Sequence, residues 1–413
     1  MERVNTVVVG AGQAGIAMSE HLGNLGIKHI LLEKGRIAEA WRTRRWDSLV
    51  ANGPAWHDRF PNLKYPCADD TFPDKATVVD YFETYADKVN APIRTGVEVT
   101  RIRRSGALFI VETSEGSFIA NHVVAATGPF QRPSIPPILP KDAAVRQLHS
   151  ADYRNPDQLP EGGVLVVGGG SSGVQIAKEL MDAGRDTYLS LGPHDRPPRR
   201  YRGRDNVWWL GVLGKWNADT PPAGAEHVTI AVSGAEGGKT IDFRSLGHRG
   251  LTLLGMTSGY EDGTVFFDDD LRKNLDAGDA NLLSLLDEAD AYVSSNQLDL
   301  PEEPSARDIP SDPDCVRAPI SSINLLEAGI STVLWATGYK FDFSWVEADI
   351  TDDRGNPCHQ RGVSKEPGFY FVGLPWQSRR GSSFIWGVWH DAKFIADQIE
   401  IQNGYMDYHL QKR

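Results

Sequence analysis

"VVGGGSSGVQIA", residues 166–177, runs from an apolar strand through glycines into a helical pattern, and "VVVGAGQAGIAM" at 7–18 repeats the arrangement. Each holds G-x-G-x-x-G: Gly10, Gly12 and Gly15 in the first, Gly168, Gly170 and Gly173 in the second. The first glycine of such a set permits a tight turn, and the second lets the backbone touch a pyrophosphate. The third lets helix and strand pack closely, while the helix N-terminus turns N–H groups and a positive dipole end toward the phosphates.

Around the first copy, Thr6–Val9 reads as a strand buried on both faces and "AGIAMSEHLGNLGI" as a helix. "HILLE" reads as a second strand ending on Glu33, whose carboxylate suits the ribose hydroxyls of an adenosine. Strand, glycines, helix, strand and terminal acid together predict a dinucleotide site built on Gly10, Gly12, Gln13, Ala14, Gly15 and Glu33, with Lys34 beside it. In the second copy "GVLVV" is the strand, "VQIAKELMDAG" the helix, and Ser171 and Ser172 stand at the helix mouth. The position equivalent to Glu33 is Leu191, and "GPHDRPPRRYRGRD" follows with Arg196, Arg199, Arg200, Arg202 and Arg204. An acid would repel a 2′-phosphate, whereas arginines grip one bidentately. Arg196, Arg199 and Arg200 are therefore candidate ligands of NADPH. Two folds on one chain predict FAD in the first and NADPH in the second, with hydride passing between them.

The fold class expected is α/β, two Rossmann-like dinucleotide-binding domains with the second inserted in the first. Residues 1–157 open the FAD domain, 158–330 form the NADPH domain, and 331–413 complete the FAD domain. Between the copies, "VEVTRIRR", "ALFIVETS" and "GSFIANHVVAATG" read as hairpin strands. The last ends on Thr127-Gly128, and "STVLWATGY" ends likewise on Thr337-Gly338. Small residues there let backbone approach a cofactor or let the chain cross between domains. Near the end, "GFYFVG" is a buried strand, and a largely buried helix opens at Ser382 or Ser383 with its N-terminus toward the flavin pyrimidine.

Composition narrows the classes. A net charge of −12 over 413 residues argues against a nucleic-acid partner. Cys67, Cys315 and Cys358 share no metal or redox spacing, so no metal is expected and the thiols read as reduced. "MERVN" leads straight into a strand, and "VWWLGVLG" at 207–214 is too short to span a bilayer. The expectation is a cytoplasmic protein with no membrane partner; homo-oligomerisation is left open.

The chain resembles the class B flavin-dependent monooxygenases over most of its length. The resemblance lies in "GAGQAG", "GGGSSG", "AATG" with a proline-rich loop, "ATGY", "YFVGL", and "WRTRRWDSLVANGP" at 41–54. It implies that Trp41 and Arg42 lie beside the flavin. It also implies that NADPH reduces FAD, and that O2 adds at C4a as a (hydro)peroxide which oxygenates a soft nitrogen or sulfur of a small organic substrate. Asn52 falls where the nitrogen- and sulfur-oxygenating members place an asparagine near the flavin; read from the residues alone, it is equally the first half of an Asn-Gly turn. The family's F-x-G-x-x-x-H-x-x-x-[YF]-[KR] is only partly kept: "AAVRQLHSADYR" has His149, Tyr153 and Arg154 but Ala143 and Val145 in place of Phe and Gly. His149 reads as a linker histidine capping a turn. Baeyer–Villiger or oxidative-decarboxylating chemistry, or an NADPH oxidase or redox sensor without a substrate, are the alternatives. A disulfide reductase lacks its C-x-x-C or C-x4-C pair here.

Overall fold

The computed structural model describes residues 1–221 and 229–411. The chain opens with β1 (Glu2–Val9), α1 (Gln13–Asn24), β2 (His29–Glu33), α2 (Lys75–Lys88) and β3 (Ile93–Thr95). β4 (Val99–Ser105), β5 (Leu108–Thr113) and β6 (Gly116–Ala125) then form an antiparallel meander. β6 is long enough to leave the meander and run parallel beside β1, giving the parallel order β3-β2-β1-β6. Val7 and Val8 are fully buried, as β-branched residues must be in a strand covered on both faces.

The chain then enters a second sheet through β7 (Arg146–His149), β8 (Gly163–Val167), α3 (Ser171–Asp182) and β9 (Thr187–Ser190). α4 (Asn206–Val212), β10 (Thr252–Leu254), α5 (Leu271–Ser295) and β11 (Ile330–Trp335) complete this part. All five strands are parallel, in the order β10-β9-β8-β11-β7. Hydrogen bonding thus carries the second sheet from 146 to 335, wider on both sides than the expected 158–330.

On returning to the first sheet, the chain adds β12 (Val346–Glu347) beside β4 and β13 (Phe369–Phe371) parallel to β6. It ends in α6 (Ile385–Gln411), which packs along α1 with Val388, Ala392, Ile395 and Ile399 fully buried. The helix starts two to three residues after the expected serines. Polar ties fix this pairing, His21 Nε2 to the Trp389 carbonyl at 2.9 Å and Trp389 Nε1 to Glu20 at 2.6 Å, and Asn5 Nδ2 of β1 donates to Asn403 of α6 at 3.0 Å.

The glycine loops are the same device built twice. A Cβ on Gly10 would stand 2.7 Å from the Ala126 carbonyl, and one on Gly168 would stand 2.4 Å from that of Ala336. Both glycines hold positive φ, +108° and +120°. Gly15 and Gly173 would bring a Cβ within 1.9 and 1.8 Å of the Gly10 and Gly168 carbonyls. The small alanine that opens each "ATG" phrase is therefore the residue against which the first glycine of each copy turns.

Candidate functional site

A cavity of about 910 Å³ connects the two loops. Its walls include Gly10, Gly12, Gln13 and Ala14 of the first fold and Ser171, Ser172 and Gln175 of the second. A Cβ on Gly12 would meet nothing within 4 Å, so this backbone faces the cavity at the mouth of α1. Glu33 lines it too; its two oxygens accept the Ala11 and Gly35 N–H groups at 2.9 and 2.8 Å. That fixes the carboxylate in place and leaves lone pairs for two ribose hydroxyls. Lys34, Trp41, Thr127, Gly128 and Ser383 share the wall, and Gln13 Nε2 donates to the Ser383 carbonyl at 2.8 Å. These residues fit the adenosine and pyrophosphate of FAD.

Several sequence-derived candidates stand elsewhere. Arg42 is off the wall, donating to the Ile37 carbonyl at 3.2 Å and to Glu83. Gly15, Gly168 and Gly173 act through packing behind the loops, and Gly170 stands at the mouth of α3 against Thr229 and Ile230. Ser382 is fully buried and accepts the Ser378 and Arg379 N–H groups. Thr337 and Gly338 serve the crossing between sheets: Thr337 Oγ1 donates to the Ser134 carbonyl, and the Gly338 carbonyl accepts from Ser134 N at 2.9 Å. His149 works at that same crossing. Its Nδ1 accepts the Ala151 N–H at 3.1 Å and its Nε2 donates to the Gly338 carbonyl at 3.0 Å.

The arginine cluster needs the largest correction. Arg196 is buried and donates to Asp279 at 2.7 Å, with Asp242 at 3.3 Å. Arg199 is 1% exposed and straddles Asp205, Nε at 3.0 Å, while it also donates to the Asn52 carbonyl. Arg202 is held by Asp290 at 2.6 Å. Arg200 is exposed and off the cavity wall. Guanidinium groups already desolvated against carboxylates are not available to a phosphate. The wall offers Arg380 instead, which makes no hydrogen bond or ion pair through its side chain among the described residues. Burial lowers its pKa, and the nearby Asp195 opposes that shift. Burial in turn pushes the Asp195 carboxyl above its ordinary range.

Asn52 lies where the folds meet. Its Oδ1 accepts from Gln175 Nε2 at 2.9 Å, its carbonyl from Arg199, and its side chain borders the cavity. Gln175 had a readable signal, since it sits one helical turn beyond Ser171 and Ser172 on the same face of α3. Arg380 and Asp195 had none. The tryptophans on the wall are Trp41, Trp46, Trp216 and Trp345; Trp386 packs behind them, its ring centroid 5.4 Å from that of Trp216. The three cysteines are unpaired and none borders the cavity. No group of metal-ligating side chains occurs among the described residues, and no helix among them is long and apolar enough to cross a membrane.

Residues 7–199 match the model of the pyridine nucleotide-disulphide oxidoreductase family. An uncharacterized CzcO-like oxidoreductase of Geobacillus kaustophilus is 34% identical over 404 residues, covering 96% of this chain and 98% of the relative. Among solved structures, a flavin-containing monooxygenase from Stenotrophomonas maltophilia superposes with a TM-score of 0.68 at 20% identity, covering 97% and 99% of the two chains. The OTEMO complex with FAD and NADP superposes with a TM-score of 0.56 at 17% identity, covering 97% and 86%. These superpositions bear out the two-fold α/β architecture.

Proposed function

This chain belongs to the CzcO-like oxidoreductases, and on that premise we propose that it is an NADPH-dependent flavoprotein monooxygenase acting on a soft nitrogen or sulfur of a small molecule. The observation that carries this reading is one cavity shared by the two folds, bordered by Gly12 and Gln13 of the first and by Ser171, Ser172 and Gln175 at the start of α3 in the second. Dinucleotides seated on the two loops would extend their reactive rings into common space. When bound, FAD takes a hydride from NADPH and passes electrons to O2.

The protein's share is binding, orientation and the exclusion of water. The N-terminus of α1 and the carboxylate of Glu33 hold the two ends of the FAD adenosine diphosphate. Arg380 takes the 2′-phosphate role expected of Arg196, Arg199 and Arg200, because it borders the cavity and holds no carboxylate by a hydrogen bond among the described residues. With its Oδ1 engaged by Gln175, Asn52 presents its Nδ2 as a donor that does not titrate. A fixed amide stabilises negative charge on oxygen without releasing a proton. Apolar wall residues, among them Val9, Leu32, Leu49 and Ala126, keep water from the reacting centre. The absence of cysteine from the wall supports oxygen rather than a disulfide as the electron acceptor.

The test begins with FAD-loaded protein and NADPH without oxygen, following the flavin's visible absorbance. Isotopically heavy O2 is then supplied with a panel of amines and thioethers, and products are read by mass spectrometry. Bleaching followed by label in a product is the expected result. Consumption of NADPH that ends wholly in hydrogen peroxide across the panel would overturn the monooxygenase reading.

A further inference from the structure

The mouths of α1 and α3 differ in what stands before them. At α3 a piece of the chain's own backbone, Thr229–Val232, lies across the opening. Ser171 Oγ donates to the Ile230 carbonyl at 2.7 Å and accepts the Val232 N–H at 3.3 Å. Gln175 Nε2 donates to the Val232 carbonyl at 2.6 Å. Asp195 N donates to the Thr229 carbonyl, and Ala231 N to the Asp195 carbonyl, both at 2.8 Å. A Cβ on Gly170 would come within 3.4 Å of Thr229 Cγ2 and 4.0 Å of the Ile230 oxygen; its counterpart at Gly12 meets nothing. Backbone carbonyls of this piece thus take up the Ser171 and Gln175 side-chain donors at the mouth where a pyrophosphate would be received.

We infer that Thr229–Val232 is a displaceable strap that competes with the pyrophosphate of NADPH for the mouth of α3. This rests on the second fold's being the NADPH site. The bonds holding the strap are neutral, whereas a phosphate brings charge-assisted ones, so the ligand wins the exchange. Nucleotide affinity is then set by the fraction of molecules whose strap is open. The strap also shares Gln175 with Asn52, so its release leaves that amide to Asn52 alone.

Amide hydrogen exchange on the FAD-loaded protein, with and without saturating NADP⁺, tests this. Displacement makes 229–233 exchange faster in the complex while 168–174 exchanges more slowly. Unchanged exchange or added protection at 229–233, alongside protection of 168–174, would overturn the strap. In a second arm, Ile230→Gly combined with Val232→Gly loosens the strap and lowers the Kd for NADP⁺ on the order of ten-fold. Binding by the variant alone supports a strap that is closed in the native protein; an unchanged Kd, or no binding by either protein, overturns it. If NADP⁺ drives the strap out but NADPH leaves the flavin oxidised, the strap stands and the proposed function falls.

Discussion

Replacing Arg199 with methionine separates a structural arginine from a phosphate-binding one. The side chain is 1% exposed, straddles Asp205, donates to the Asn52 carbonyl and lies 4.8 Å over the Phe72 ring. Asp205 is buried as well, at 7% side-chain exposure, and its Oδ1 caps α4 by accepting the Val207 N–H at 3.0 Å. Removing one member of such a pair leaves a buried charge uncompensated, which costs about 3–5 kcal/mol. Arg199→Met should therefore lower the unfolding free energy by roughly that amount. The double variant Arg199→Met with Asp205→Asn removes the orphaned charge, keeps a cap for α4, and should recover most of the loss. The assay is denaturant unfolding of the FAD-loaded proteins, alongside Kd values for NADPH and NADH. On this reasoning any change in nucleotide binding is the same for both coenzymes. Native stability in Arg199→Met, with NADPH binding weakened and NADH binding untouched, would refute it and return Arg199 to the 2′-phosphate.

Gly12→Val should give a folded but colourless protein, because its side chain enters the cavity where no atom lies within 4 Å; Gly15→Ala should fail to fold, since its Cβ would lie 1.9 Å from the Gly10 carbonyl. Circular dichroism and flavin content distinguish the two. Asn52→Ala should leave flavin content and NADPH-driven reduction intact while diverting NADPH into hydrogen peroxide, read by a peroxide assay; full coupling would reduce Asn52 to a turn residue. Burial lowers the pKa of His21, His29, His122, His194 and His359. The unfolded chain takes up these protons near pH 6.5 and the folded one only at lower pH, so this stabilisation is complete above about 6.5 and is lost as pH falls through the folded values. Thermal unfolding at roughly pH 7.5 and pH 5.5 should show a lower midpoint at the acid value.

What could be read from the sequence was whatever depends on chain neighbours. Gly15 and Gly173 are dictated by clashes within their own strand-turn-helix units, whereas Gly10 and Gly168 turn against alanines of distant strands, Ala126 and Ala336. The meander between the copies was legible from alternation and turn residues. Arg196 and Arg202 were misread because their partners are distant in sequence, Asp279 and Asp242 for the first and Asp290 for the second, whereas Arg199 is taken by Asp205 within the same stretch. Composition shows five positive charges in a row of loop residues but not the aspartates that α5 brings under them. Asn52 carried a motif, yet its partner Gln175 is 123 positions away. The crossing points were placed by their small residues, while the sheet to which β7 and β11 belong follows from pairing over nearly two hundred residues.

The clasp of α6 on α1 bears on how the protein is made. The five parallel strands of the second sheet lie within one uninterrupted stretch, 146–335, and can close as soon as that stretch leaves the ribosome. The first sheet begins earlier yet waits longest, since α1 keeps an apolar face uncovered until Val388, Ala392, Ile395 and Ile399 are synthesised. Domains fold as units during synthesis, in general from the N-terminus. Here the interior unit is positioned to finish first, and the outer one keeps that apolar face open until the final helix arrives. A nascent chain stalled before residue 385 would carry a finished second fold and an unfinished first one.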